Sequence, residues 1–506
     1  MASLLARYAD RIRGVLSCYD RVVIIGTLPG LCYAAGMTAY LAARGVRIFD
    51  YPKWAEPLRD QLRAHAERVA REHGLPIDFI RKLKAFRKED RVQAILAQRG
   101  HHPGLVHIFS AMESCQSYQP WHDKQTGKTF LRPDSGKCLH YYFYFIDPEL
   151  GLCYLRVPTW APFRLQFYFN GHQHLAATLR RRGVACTLAD NAFVEIADWA
   201  LAQRLADQMS VQDLHQAMDR AVAAYCPVAG TLETAYHWSL MQVEYATDLV
   251  FARREDLQPV YETLVRTAIH AVKPDRVATF LGHRLTGATT AELGTDFTTR
   301  VEGTCIKHYF GPAAIKLYDK FGRVLRIETT ANDVTFFKHH RQVEQHDGTT
   351  TFKLAPVRKT IYSLHPDLRQ LLLAANLRYL AFLSDLDDPS AGLKALDKVT
   401  RSVEDHGRGY KGFNFFAAID QQLFEVLVRG EHVISGVRNQ DLRRHFRDKS
   451  TGQISHVLKR LRTHGLIKKV GRTYKYYLTD FGRHVALAGL KLKELVLIPM
   501  LCPKPA

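Results

Sequence analysis

Two acids, a phenol and several cations recur at two-residue spacing in the middle of the chain. In residues 238–251, WSLMQVEYATDLVF, an extended backbone puts Gln242, Glu244, Ala246 and Asp248 on one face, and Val243, Tyr245, Thr247 and Leu249 on the other. In residues 315–330, IKLYDKFGRVLRIETT, Lys316, Tyr318 and Lys320 point one way before a tight turn at Phe321 and Gly322. On the returning strand Val324, Arg326 and Glu328 share a face, and Leu325 and Ile327 supply the apolar one. A tyrosine that attacks a phosphodiester needs a metal or cations on the non-bridging oxygens, and it keeps the phosphate as a covalent phosphotyrosine. Lys316, Lys320 and Arg326 could hold the phosphates. Two carboxylates, Glu244 and Asp248, beside a buried sheet are unfavourable unless a cation offsets them. Oxygen-rich sets of this kind suit Mg²⁺ or Mn²⁺. The competing reading of the same residues is a solvated sheet face laced with cross-strand ion pairs.

The order E-x-x-x-D on a strand, a helix, GTCIKHYFG, IKLYDK and VLRIE is similar to the Rep-trans-type replication initiators of rolling-circle plasmids and phages. The resemblance implies that Tyr318 is the nucleophile, with Lys320 beside it, and that Glu244, Asp248 and Glu328 are metal ligands. The chain departs from that pattern in Lys316, where arginine is usual, in Glu244, where aspartate is usual, and in a shorter connection between the tyrosine and the closing glutamate. Histidine-hydrophobe-histidine, the metal motif of the broader nickase class, is absent from any expected strand. HQH at His172–His174 opens a helix and reads as surface, and His107 reads as core. Asp20, Glu113 and Asp147 flank strands and could form a carboxylate triad of the ribonuclease-H kind. No GxSxG, Walker loop or clustered zinc-ligand spacing appears.

The elements that position these groups follow from hydrophobic period. Residues 20–113 alternate between strand-like RVVIIGTL and RIFDY, helical MTAYLAARG and a long helix over 53–73, as an α/β region does. KCLHYYFYFID and GLCYLRVPTW flank Pro148 as an aromatic hairpin, and RLQFYFNG extends it. Those aromatics fit a core, or stacking on bases. Residues 190–226 read as helical, residues 236–251 and 296–362 as sheet, and no internal repeat is visible.

Residues 413–498 carry the clearest pattern. An amphipathic helix, a short second one, then STGQISHVLKRLRTHG with a capping-box Ser450 and Gln453, are followed by LIKKV, a turn at Gly471 and Arg472, and TYKYYLT. This order resembles a MarR-type winged helix-turn-helix. It implies that Gln453, His456, Lys459 and Arg460 face the major groove and that Arg472 and Lys475 lie on the wing. Residues 440–493 hold 14 basic side chains against 3 acidic ones, which suits phosphate contacts.

Lys and Arg number 70 against 50 Asp and Glu over 506 residues, a net charge of +20 that points to a polyanion. DNA is the first partner this implies, and RNA fits the same charge. The nine cysteines show no paired spacing and read as reduced core residues. The N-terminus lacks a signal-peptide core, and Gly26, Pro29, Gly30 and Gly36 break the uncharged run 22–43, so a cytoplasmic protein is expected.

The expected fold is α+β and multidomain: a mixed α/β region over 1–135, an aromatic hairpin with helices over 136–230, a central antiparallel-sheet domain over 231–385, a linker over 386–412 and a winged helix over 413–498. The function expected is a metal-dependent tyrosine nickase or replication-initiator-like endonuclease of a mobile element or plasmid. The alternatives are a non-catalytic MarR-like regulator and an RNA-binding component of a ribonucleoprotein.

Overall fold

Long runs of β-branched and aromatic residues, interrupted by few prolines, give strands of up to 19 residues in this computed structural model. It describes residues 2–81, 86–283, 285, 292–300, 303–345, 348–386, 399–471 and 473–493. The fold is mixed α and β, as expected. The chain forms two units, each discontinuous in sequence: Met1–Leu16, Ala246–Thr330 and Gln370–Ala506 make the first, Ser17–Tyr245 and Ala331–Arg369 the second.

In the second unit, β1 (Ile12–Thr27), most of which lies here, leads through α2 (Ala34–Ala43), α3 (Tyr51–Glu72), β2 (Ile77–Phe79) and α4 (Lys88–Arg99). An antiparallel meander follows: β3 (Gly104–His122), β4 (Thr129–Asp147), β5 (Gly151–Pro158) and β6 (Leu165–Asn170). The sheet order is β1-β6-β5-β4-β3-β2, and α5 (Gly171–Arg181) closes the run. Strands β7 (Cys186–Ala189) and β8 (Ala192–Ile196) precede α6 (Trp199–Ala206) and α7 (Val211–Tyr225), so residues 190–226 are not wholly helical. RIFDY likewise forms a 3₁₀ turn over Ile48–Asp50 rather than a strand, its Asp50 side chain tied to Arg47. The boundary expected at 135 falls inside β4, which pairs with β3 along its length.

In the first unit, α1 (Ala2–Arg7) precedes the chain's return along β9 (His237–Phe251), whose last six residues belong here. Helices α8 (Arg254–Ala271) and α9 (Pro274–Phe280) lead to a second meander: β10 (Leu293–Arg300), β11 (Gly303–Phe310), β12 (Ala313–Lys320) and β13 (Val324–Ala331). Its order is β10-β11-β12-β13-β9. The ribbon β14 (Lys338–Glu344) and β15 (Thr350–Pro356) belongs to the second unit, and α10 (Asp367–Leu386) follows. Strand, helices, four-stranded meander beside the leading strand: the two units repeat one order of elements, which no repeat in the sequence announced.

Leu249, Phe251, Leu264, Ile315, Leu317, Leu325, Ile327 and Tyr379 are fully buried in the first unit's core. Ile315, Leu317, Leu325 and Ile327 are the apolar face expected of the 315–330 hairpin, and burying each such side chain is worth about 1.5–3 kcal/mol. The rest of the unit is a short hairpin, β16 (Val403–Asp405) and β17 (Arg408–Tyr410), then α11 (Ala418–Leu427), α12 (Gly430–Ser435), α13 (Asn439–His445), α14 (Thr451–Thr463), β18 (Ile467–Lys469), β19 (Tyr476–Leu478) and α15 (Asp480–Lys491). No helix among the described residues is long and apolar enough to cross a membrane.

Candidate functional site

The hairpin of β12 and β13 turns at Phe321 (φ 60°) and Gly322 (φ 68°), two left-handed residues in succession as a type I′ turn requires. The side chains of Tyr318 and Lys316 on β12 both reach Glu328 on β13. The Tyr318 hydroxyl donates to Glu328 Oε2 at 2.6 Å, and Lys316 Nζ donates to Oε1 at 2.5 Å. Glu328 is buried while Lys316 and Tyr318 are half-buried, so the carboxylate sits at the floor and the phenol and ammonium reach outward. Lys320 lies at the strand end, its ammonium 5.1 Å from the Phe321 ring.

Arg326 behaves differently from the expectation. Its Nε and Nη2 donate to Asp248 Oδ1 and Oδ2, each at 2.6 Å, in a bidentate pair with side-chain exposures of 0% and 2%. It is a buried strut between β13 and β9, not a phosphate clamp. Next to it Thr329 donates to Asn376 Oδ1 at 2.6 Å, and Asn376 Nδ2 donates to Thr247 at 3.1 Å, fastening α10 to the same two strands.

The metal expectation began from uncompensated carboxylates, and the chain supplies its own compensation. Arg326 offsets Asp248 and Lys316 offsets Glu328. Glu244, half-buried on the part of β9 that belongs to the second unit, raises the pKa of Arg21, where burial opposes it and Tyr154 and Tyr168 act in the same direction. Asp248, with both oxygens held by arginine, does not fit a Mg²⁺ or Mn²⁺ ligand as it stands.

Among the groups expected on the nucleic-acid face, α14 has the capping box read from sequence: Ser450 Oγ accepts from Gln453 N, and Gln453 Oε1 accepts from Ser450 N at 2.8 Å. On its outward side Gln453 and His456 are exposed, while β16, β17 and the segment after them meet Lys459, His456 and Arg460. Lys459 pairs with Asp405 at 2.5 Å, and His456 stacks on Tyr410 at 5.5 Å. Arg460 donates to Asp420 at 2.9 and 3.0 Å and to the carbonyls of Lys411 and Gly412, with its guanidinium 3.8 Å from the Phe413 ring. Arg460 therefore fastens the fold rather than reading bases. Lys475 is half-buried beside β19, and Arg472 lies outside the described residues. The exposed cations here are Arg443, Arg444 and Arg447 in and after α13, Arg462 on α14, and Lys468 and Lys469 on β18.

In the second unit the three acids considered as a triad have separate employments. Asp20 accepts from Asn170 at 3.0 Å and from Asn191 at 2.6 and 2.8 Å, with His172 Nδ1 3.1 Å away. His172, read as surface, is thus buried, whereas His107 is a core residue bonded to Asp78. Burial pushes the Glu113 carboxyl up, but the Tyr142 hydroxyl and the Arg156 guanidinium outweigh it and hold the pKa below the ordinary value. Asp147 accepts from the backbone of Glu149 and Leu150 at the β4–β5 turn. Tyr142, Tyr144 and Tyr154 are buried, so these hairpin aromatics are core and not a stacking platform. A cavity of ≈ 260 Å³, lined in part by His140, Arg156, Trp160 and Arg164, contains none of the site residues expected from sequence.

No family model, curated protein or solved structure matches the chain.

Proposed function

We propose that the chain is a nucleic-acid-binding protein of a mobile element or plasmid that cleaves and rejoins a DNA strand through Tyr318. One observation carries the reading: the Tyr318 hydroxyl donates to a buried carboxylate that also holds an ammonium group. In the reaction Glu328 takes the phenolic proton as Tyr318 Oη bonds to phosphorus. The bond from phosphorus to the 3′ oxygen breaks, and that oxygen leaves as a hydroxyl after taking a proton. The product is a 5′-phosphotyrosine, from which the reverse attack rejoins the strand. Lys316, partly exposed, and Lys320 supply positive charge against the negative charge on the phosphate oxygens.

The helix, strand and turn order of residues 413–493 supports a winged-helix module that holds DNA through its exposed Arg443, Arg444, Arg447, Lys468 and Lys469. That module would serve a non-catalytic regulator equally well, and the contacts of β16 and β17 with α14 do not distinguish the two. The burial of Tyr142, Tyr144 and Tyr154 removes base stacking by the aromatic hairpin as support for an RNA-binding reading.

The test is incubation with 3′-end-labelled single-stranded DNA, with Mn²⁺ and separately with EDTA, followed by a denaturing protein gel. Label on the wild type and none on Tyr318→Phe is expected. Unlabelled wild type that still shifts duplex DNA would leave the regulator reading in its place. Label that requires Mn²⁺ would mean that a metal displaces Lys316 from Glu328.

A further inference from the structure

We propose that Glu431, His432 and His445 bind a single Zn²⁺ ion that joins α12 to α13. His445 comes 13 positions after His432, a spacing that resembles no zinc signature, and the fold alone brings the three together. Their ligand atoms all lie within 4.8 Å of one another. Glu431 Oε1 is 3.5 Å from His432 Nε2 and 3.7 Å from His445 Nε2. Ligands on a tetrahedral zinc at about 2.0–2.1 Å stand roughly 3.3 Å apart, so the two Glu431 separations need shifts of only a few tenths of an ångström.

The second observation is His432 itself. It is 4% exposed, and its Nε2 has no hydrogen-bond partner although it faces the Glu431 carboxylate. A buried ring nitrogen left without a hydrogen bond is unfavourable and calls for an explanation. Neutral imidazole is the form that ligates metal. Two imidazoles and a carboxylate, with water completing the shell, favour zinc over Mg²⁺ or Ca²⁺.

The charges around the group divide. Asp441 adds negative potential at both histidines, and Arg429 opposes it. Arg429 Nη1 also lies 3.4 Å from His445 Nδ1. Ligation through Nε2 puts the proton on Nδ1, so Arg429 must swing away, and it is the residue that limits affinity. The ion would fix the angle between α12 and α13, and α13 carries Arg443 and Arg444.

The full chain, stripped with EDTA and dialysed, is titrated with ZnCl₂ by calorimetry, and bound metal is counted with a chromogenic chelator. One zinc per chain is expected, with a rise in Tm. His432→Ala and His445→Ala should each weaken binding by about tenfold or more, and Arg429→Gln should tighten it. Glu431→Gln, at a half-buried position, should weaken binding in the same way if a histidine variant fails to fold. Co²⁺ substituted for zinc should give tetrahedral ligand-field bands. Absence of zinc binding, or binding equal in wild type, His445→Ala and Glu431→Gln, overturns the proposal. Both results are independent of whether Tyr318 forms a DNA adduct.

Discussion

The two meanders repeat one order of elements and solve burial in opposite ways. In the second unit phenols fill space between the strands, with Tyr142, Tyr144 and Tyr154 buried, and the Glu113–Arg156 pair is partly exposed at 16% and 18%, while the buried His107 meets Asp78 on the neighbouring strand. In the first unit charge goes to the floor of the sheet, where Arg326 with Asp248 and Lys316 with Glu328 pair across strands. Burying charge is unfavourable unless each group finds a partner of good geometry, and replacing such a pair with apolar residues is often neutral or stabilising. A sheet that accepts this arrangement where its counterpart uses tyrosine has a use for the charge. Phosphodiester chemistry at Tyr318 is the use proposed.

The largest expected effect breaks the comparison at Arg326. Arg326→Met leaves Asp248 buried without its arginine and should lower unfolding free energy by about 3–5 kcal/mol, read from urea midpoints. Adding Asp248→Leu should recover most of the loss, making the first meander resemble the second. If the double variant is no better than the single one, Arg326 holds the fold through something other than this pair.

Next in size is a pH effect confined to the first unit. His308 is buried between Thr295 and Tyr379, and burial lowers its pKa from 6.5 to about 4. The folded value lies below the unfolded one, so the unfolded chain takes the proton first as pH falls. Stability is then complete above about pH 6.5 and falls by roughly 3 kcal/mol as pH drops toward 4. His308→Gln should flatten that part of the pH dependence, and an unchanged slope would show that the acid sensitivity arises elsewhere.

A smaller effect belongs to the second unit. Glu113→Gln keeps the shape and removes the charge facing Arg156, so about 1–3 kcal/mol should be lost near neutral pH. Because the folded carboxyl has the lower pKa, this stabilisation is present above the unfolded value and disappears as pH falls through the folded one. The wild type and variant should converge in acid.

Smallest is Asp405→Ala. It releases Lys459 from its pair with Asp405, and duplex DNA affinity should rise by up to about fivefold at low salt, as befits a solvent-screened exposed pair. An equal or weaker affinity would mean that this side of α14 stays away from DNA.

Particular residues show how far the sequence could be read. The 315–330 hairpin was legible because period two, a glycine in the turn and two apolar residues on each side agree. The capping box at Ser450 and Gln453 was legible for a similar reason: it is a local rule confined to four residues. Arg326 was misread because periodicity says which face a residue takes and not which acid on β9 waits there. Arg460 and Lys459 were misread because a polar helix face announces only that it leaves the core, while Asp405 on β16 and Asp420 on α11, 40 or more residues upstream, take them as partners. The repeated meander and the group of Glu431, His432 and His445 were invisible, since only the folded backbone brings their members together.

The central claim, that Tyr318 is a nucleophile, is tested most directly by digesting the protein after reaction with an oligonucleotide and mapping the adduct by mass spectrometry. A nucleotide phosphate on the peptide that carries Tyr318, greatly reduced in Glu328→Gln, is the predicted result. An adduct on another residue, or none from a protein that binds the same oligonucleotide, would contradict it.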